Sequence, residues 1–277
     1  MTSSFDGFIP SYSIFQKLRL ILSTYQDGSG QLRVSEDNTL PGWRDFERAV
    51  AIAFQGKTQE SKSIFDVLVP DRTSPSQYYG ISCKMRGTLN ETLRNGYVSL
   101  ELSNSSKQFW DAINHYNLNQ QTYREQPAVV GKALVERVKH WHDLVSTLSG
   151  GNIVLSKSFF LTLSWDRHSG DYQLHQFKHE LPDPADLVWS FPLKKQKGEL
   201  VPGKRIIGQK DEHILLEWYG ESGGQLKYYP LTKDATWQSE LFKLEPLPNQ
   251  GDLQPVIMTK IYSYFPGLWT QIQDELS

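Results

Sequence analysis

The chain is poor in sulfur: Cys83 is the single cysteine among 277 residues, so no intrachain disulfide can form and a reducing cytoplasm is the expected setting. Strand alternation turns Cys83 inward, which reads as a small core residue and not a nucleophile. No apolar run approaches the ~20 residues of a membrane span. Met1–Asp6 lacks the basic and apolar stretches of a signal peptide. Neither sign of charge dominates: 29 Lys and Arg against 31 Asp and Glu leave −2, unlike the basic balance of a histone-like DNA binder. Internal repeats, coiled-coil heptads and long biased tracts are absent. Several chemistries lose their motifs as well. No Gly-Lys-Ser/Thr follows Gly220, Gly223 and Gly224, so they read as a hairpin and not a phosphate loop. No cysteine pair or third close ligand joins His175 and His179, or His140 and His142, which argues against structural zinc. No Gly-x-Ser-x-Gly elbow supports a serine hydrolase. What remains is an ordinary globular composition, 38% apolar and 22% charged, on a chain long enough to bury a full core.

Against that background one constellation stands out between Trp43 and Arg86. Trp43, Phe46, Val50, Ala51 and Phe54 recur at helical spacing and mark one apolar face. Glu47 projects near that face, where a carboxylate is costly unless it is paired, hydrogen-bonded or bound to metal. Pairing with Arg44 or Arg48 at the edge of a wide stripe is the other reading. Asp66 lies in Ser63–Pro70, which has the length and β-branched content of a buried strand closed by a turn at Pro70-Asp71. An aspartate inside such a strand needs an arginine partner or a metal. In Tyr79–Lys84, Ile81 and Cys83 point to one face, Ser82 and Lys84 to the other. Tyr97–Ser103 alternates in the same way, which puts Glu101 on a polar face that could lie beside Lys84; a solvated strand face is the plainer reading of Glu101 alone.

Helix with Glu47, strand with Asp66, strand ending Ser82-Cys83-Lys84: over roughly residues 40 to 115 this order resembles the PD-(D/E)XK nuclease superfamily, and within it the type II restriction endonucleases. The departure is Ser82, which stands where that pattern usually has Asp or Glu. The resemblance implies an α/β (α+β mixed) fold with a central mixed sheet flanked by helices. It implies Mg²⁺-dependent, sequence-specific hydrolysis of phosphodiester bonds in double-stranded DNA. On it, Asp66, the backbone carbonyl of Cys83 and either Glu47 or Glu101 hold the metal, and Lys84 holds and polarises the attacking water. A homodimer is implied because a twofold protein matches a twofold site. A cognate DNA methyltransferase would be the companion, though nothing in this chain shows one.

The remaining chain reads as one domain, with a core of about residues 40–168 and a β-rich, DNA-contacting part of about 169–277. Helices are expected over residues 12–25, after Ser103 or Asn104, and from Ala128 to Leu148; strands are expected over Ser158–Trp165, His213–Tyr219 and Gln225–Leu231. Lys194, Lys195, Lys197, Lys204, Arg205 and Lys210 fall within 17 positions of a Gly- and Pro-bearing loop. Phosphate contact is the functional reading and a solvated loop the plain one. The hairpin tip with Glu221, Ser222, Gln225 and Lys227 carries groups that can read base edges. Arg86, Lys194, Lys195, Lys204, Arg205, Glu221, Gln225 and Lys227 make the expected DNA-contacting set. Two other function classes stand behind the nuclease. One is a non-catalytic nucleic-acid-binding protein with a degenerate nuclease fold, motivated by Ser82. The other is a carbohydrate- or protein-binding module, motivated by the aromatic cluster Trp189, Trp218, Tyr219, Tyr228, Tyr229 and Trp237.

Overall fold

In the computed structural model, which describes residues 7–35, 38–59, 64–196, 198–221, 223–248 and 256–274, the apolar spacing from Phe46 to Ala53 produces a helix with a well-defined start. Buried Asp45 caps it: Oδ2 accepts from the N–H of Gly42 at 2.9 Å and of Gln31 at 2.8 Å. Phe46, Ala49, Val50 and Ala53 are buried, whereas Trp43, expected on the same face, is exposed with its ring 4.7 Å from the Arg44 guanidinium.

The chain runs through α1 (Tyr12–Ser23), β1 (Leu32–Arg33), β2 (Thr39–Leu40), α2 (Trp43–Ala53), β3 (Lys57–Thr58), β4 (Val67–Asp71), β5 (Ser74–Arg86) and α3 (Leu89–Asn95). It then passes into a second compact unit with β6 (Leu100–Ser103), α4 (Ser106–Asn114) and α5 (Pro127–Val145). It returns to the first for β7 (Phe159–Trp165) and β8 (Asp171–Lys178). The second unit takes β9 (Val188–Ser190), β10 (Leu193–Gln196), β11 (Glu199–Pro202), β12 (Arg205–Lys210), β13 (His213–Tyr219) and β14 (Gln225–Tyr228). The first ends the chain with β15 (Trp237–Gln238), β16 (Phe242–Lys243), α6 (Ile257–Tyr264) and α7 (Pro266–Asp274). The units comprise residues up to Gly96, Asn152–His179 and from Thr232 onward, and Tyr97–Gly151 with Glu180–Leu231. This differs from the expected division near residue 168, because β8, β15 and β16 hydrogen-bond into the sheet that holds β5.

In the first unit the sheet order is β15-β8-β7-β5-β4-β3, with β16 also on β8. β4 and β5 form an antiparallel hairpin, β5 and β7 run parallel, and β7 and β8 are antiparallel. One face carries Ile81, Cys83, Leu161, Leu163 and Leu174 into a core completed by Phe15, Ile21, Phe46, Val50, Ile261 and Trp269 from the helices. The opposite face of β5 therefore presents Ser82, Lys84 and Arg86. The inward placement expected of Cys83 holds: it is buried, and burial raises its thiol pKa well above the ordinary value.

The second unit is built on the antiparallel sheet β6-β14-β13-β12-β9, with β10 and β11 as a separate hairpin. Phe109 of α4, Leu134 and Val138 of α5, and Leu216, Trp218 and Leu226 of the sheet form its core. The helices expected after Ser103 and from Ala128, the hairpin His213–Tyr219 with Gln225–Tyr228, and the strand to Trp165 are all present. Among the described residues no helix is long and apolar enough to cross a membrane.

Two expectations about strands change. The strand expected over residues 63–70 starts only at Val67, so Asp66 stands just before it and not in its middle (Ser63 lies outside the described residues). The strand carrying Glu101 joins β14, not the sheet of Lys84, and Glu101 faces Lys227 across the ladder.

Candidate active site

Asp66 is fastened to β5 from both ends. Its N–H donates to the Ile81 carbonyl at 3.1 Å, and its Oδ2 accepts from the Cys83 N–H at 2.7 Å. The last β4–β5 rung is Val67 with Ile81, so the carboxylate occupies the edge of β5 that β4 has vacated. Lys84 Nζ reaches the same Oδ2 at 3.2 Å and Ser82 Oγ stands 3.5 Å from it. A strand residue sends its N–H and C=O to one edge. Since Cys83 N–H meets Asp66 there, the Cys83 carbonyl is directed to that same edge.

Glu47 enters from α2, which packs on β4 and β5. Its carboxyl pKa is pushed up to about 7, first by burial and then by the negative charge of Asp66; Lys84, Arg44 and Arg48 pull the other way. Glu47 of α2, Asp66 just before β4 and Lys84 of β5 thus share one electrostatic field. Arg48 also lies 3.6 Å from Asp45 at the helix start. Arg44 and Arg48, expected as alternative partners of Glu47, both act on it together with Lys84.

Thr162 was missed. It lies beside Lys84 in the parallel register with β7, and His175 lies beside Thr162 on β8. Both are buried, and burial lowers the His175 pKa to about 4, so its imidazole is neutral at pH 7. A threonine and a histidine within apolar strands were the only available signal. Arg86 continues the Lys84 face, beside Ser164.

The remaining expected residues belong to the second unit. The Glu101 carboxylate accepts from Asn104 Nδ2. Lys194 and Lys195 are exposed on β10, and Lys197 lies outside the described residues. Lys204 pairs with Glu221 at 2.5 Å, Arg205 with Glu217, and Lys210 with Asp186 at 3.3 Å. Glu221 also accepts from Arg124 and from Tyr123 Oη, and the Lys204 hydrogen bond leads in holding its pKa below the usual carboxylate range. Its carboxylate is committed within its own unit. Gln225 faces Tyr219 across the hairpin, and Lys227 Nζ sits 5.1 Å above the Tyr219 ring. Ser222 lies outside the described residues.

The donors around Asp66 are two carboxylates and a backbone carbonyl, all hard oxygens, while the Cys83 thiol is turned into the core. That set fits Mg²⁺, which binds through one or two carboxylates and keeps several waters. Among the described residues no group of three or more His, Cys, Asp or Glu is placed to hold a metal. No protein-family model matches the chain, and no curated protein or solved structure matches it.

Proposed function

We propose that the chain is a Mg²⁺-dependent endonuclease that hydrolyses double-stranded DNA in the manner of type II restriction enzymes, on a PD-(D/E)XK core. The observation that carries this reading is the convergence of Glu47, Asp66 and Lys84, with Lys84 Nζ 3.2 Å from Asp66 Oδ2 at the open edge of β5. The order of an antiparallel hairpin followed by a parallel strand supports the same core.

Asp66, Glu47 and the Cys83 carbonyl are the groups that would hold the metal. Bound there, Mg²⁺ supplies Lewis-acid stabilisation of the charge that builds on the phosphate. The Cys83 N–H and Ser82 Oγ fix the rotamer of Asp66. Asp66 in turn aims the Lys84 ammonium, whose free protons can orient and polarise a water for in-line attack. Glu47 must shed its proton to serve as a ligand, so the proton and the metal compete for it and metal affinity rises with pH. The proposed partners are duplex DNA and a second copy of the chain, with cytoplasm as the compartment.

Ser82 in place of an acid favours one other reading, a nucleic-acid-binding protein that has kept the fold and lost cleavage. Digestion of unmethylated phage DNA with and without Mg²⁺ separates the two. Discrete fragments are expected from the wild type with Mg²⁺, and a loss of at least ~10²-fold in rate from Lys84→Ala or Asp66→Ala. Both variants should still shift duplex DNA on a gel in Ca²⁺. Intact DNA with a retained gel shift selects the binding reading. Normal cutting by Lys84→Ala ends the mechanism.

A further inference from the structure

The first unit holds a second concave site at the far end of α2 from Glu47, a cleft of about 370 Å³. Its walls are apolar and aromatic. Phe8 meets Phe54 edge-on at 5.6 Å, Tyr79 closes the side formed by β5, and Val69 and Ile14 complete the lining. The Phe8 carbonyl accepts from Gln176 Nε2 at 2.9 Å, which fixes that wall to β8.

The charges of the cleft do not balance. Asp71, its one acid, is taken by Lys157 at 2.5 Å and by the Thr73 hydroxyl at 2.8 Å, and these contacts hold its pKa near 2. Lys17 and Arg72 remain, and among the described residues neither has a carboxylate within ion-pair distance. Lys17 lies 5.8 Å over the Trp269 ring, a contact that leaves its charge uncancelled, and burial lowers its pKa. A partly desolvated ammonium and a guanidinium at the rim of an aromatic cleft are the complement of a phosphate joined to a flat apolar body. The volume falls in the range of small-ligand pockets.

We propose that this cleft binds a small phosphorylated aromatic ligand of the nucleoside monophosphate class, with the phosphate held by Arg72 and Lys17 and the ring against Phe8, Phe54 and Tyr79. The site stands apart from Asp66 and Lys84 and does not rest on the nuclease reading. At ~3.3 Å per residue, Tyr79 lies roughly 16 Å from Lys84 along β5.

The test is a thermal shift of the full chain in EDTA with dAMP, deoxyadenosine or inorganic phosphate as the probe, on wild type, Arg72→Ala and Lys17→Gln. The proposal expects dAMP to raise the wild-type Tm, with deoxyadenosine and phosphate each giving far less. Either substitution, at half-buried Lys17 or exposed Arg72 and both outside the Asp66 cluster, should weaken dAMP binding by at least ~10-fold. No shift with dAMP overturns the proposal. So does a dAMP shift that survives both substitutions, or one that phosphate alone reproduces.

Discussion

Glu47 carries a charge that the fold holds at a cost. With its pKa moved from 4.5 to about 7, the folded chain keeps a proton that the unfolded chain has lost between those values. The stability this adds is fully present below pH 4.5 and is lost as pH rises through 7. Glu47→Gln removes the charge and keeps the shape. At pH 8 the variant is expected to be more stable than wild type by about 1 kcal/mol, after discounting the shift for partial exposure; near pH 4 the two should match. Urea melts at both pH values check this, and parallel pH slopes would rule it out. A second pair behaves oppositely. Asp27 and Lys260 meet at 2.8 Å with side chains only 5% and 3% exposed, and Ser29 and Tyr264 complete the network. Burial alone would raise the Asp27 pKa, but hydrogen bonds from Lys260 and Ser29 carry it below the ordinary value. Asp27→Ala strands a buried ammonium and is expected to cost ~3–5 kcal/mol. Asp27→Ala combined with Lys260→Met should recover much of that loss. A single-variant cost under ~1 kcal/mol in urea would mean that water reaches the pair.

At the scale of elements, what the sequence disclosed was local. Spacing from Phe46 to Phe54 gave α2, and alternation put Cys83 inward and Lys84 outward on β5, because both patterns are set within a few residues. Pairing is set from afar. Alternation in residues 97–103 tells which side chains share a face but not which strand lies alongside, so it leaves Glu101 open to a place beside Lys84 when its cross-strand neighbour is Lys227. The length and β-branched content of residues 63–70 put Asp66 in mid-strand; Phe65 instead packs across Gly80. A Cβ on Gly80 would stand 2.2 Å from the Phe65 ring. Gly80→Ala is expected to cost ~1–3 kcal/mol. Cleavage should fall further than stability, since Phe65 adjoins Asp66. An unchanged Tm would show that the ring can swing aside.

At the scale of the whole chain, neither unit is a continuous stretch of sequence. The first is interrupted twice, by residues 97–151 and 180–231, and its sheet needs β7 and β8 from between the interruptions and β15 and β16 from after them. Such a division leaves no compositional seam, because each crossing falls in a short ordinary loop, and so a cut near residue 168 looked natural from sequence. The fragment of residues 40–168 contains every group proposed for catalysis. It nevertheless lacks Leu18, Ile21 and Leu22 of α1, Tyr172 and Leu174 of β8, and Ile261 and Trp269 of the last two helices, all buried in the same core as Cys83. Losing these seven large buried side chains, each worth ~1.5–3 kcal/mol, removes ~10–20 kcal/mol, as much as the whole ~5–15 kcal/mol by which domains are stable. The fragment is therefore expected to show no cooperative urea transition and no cleavage, while the full chain unfolds cooperatively. A sharp transition in the fragment would mean that β4, β5, β7 and α2 form a core without the helices that cover it, and the candidate site could then be studied there alone.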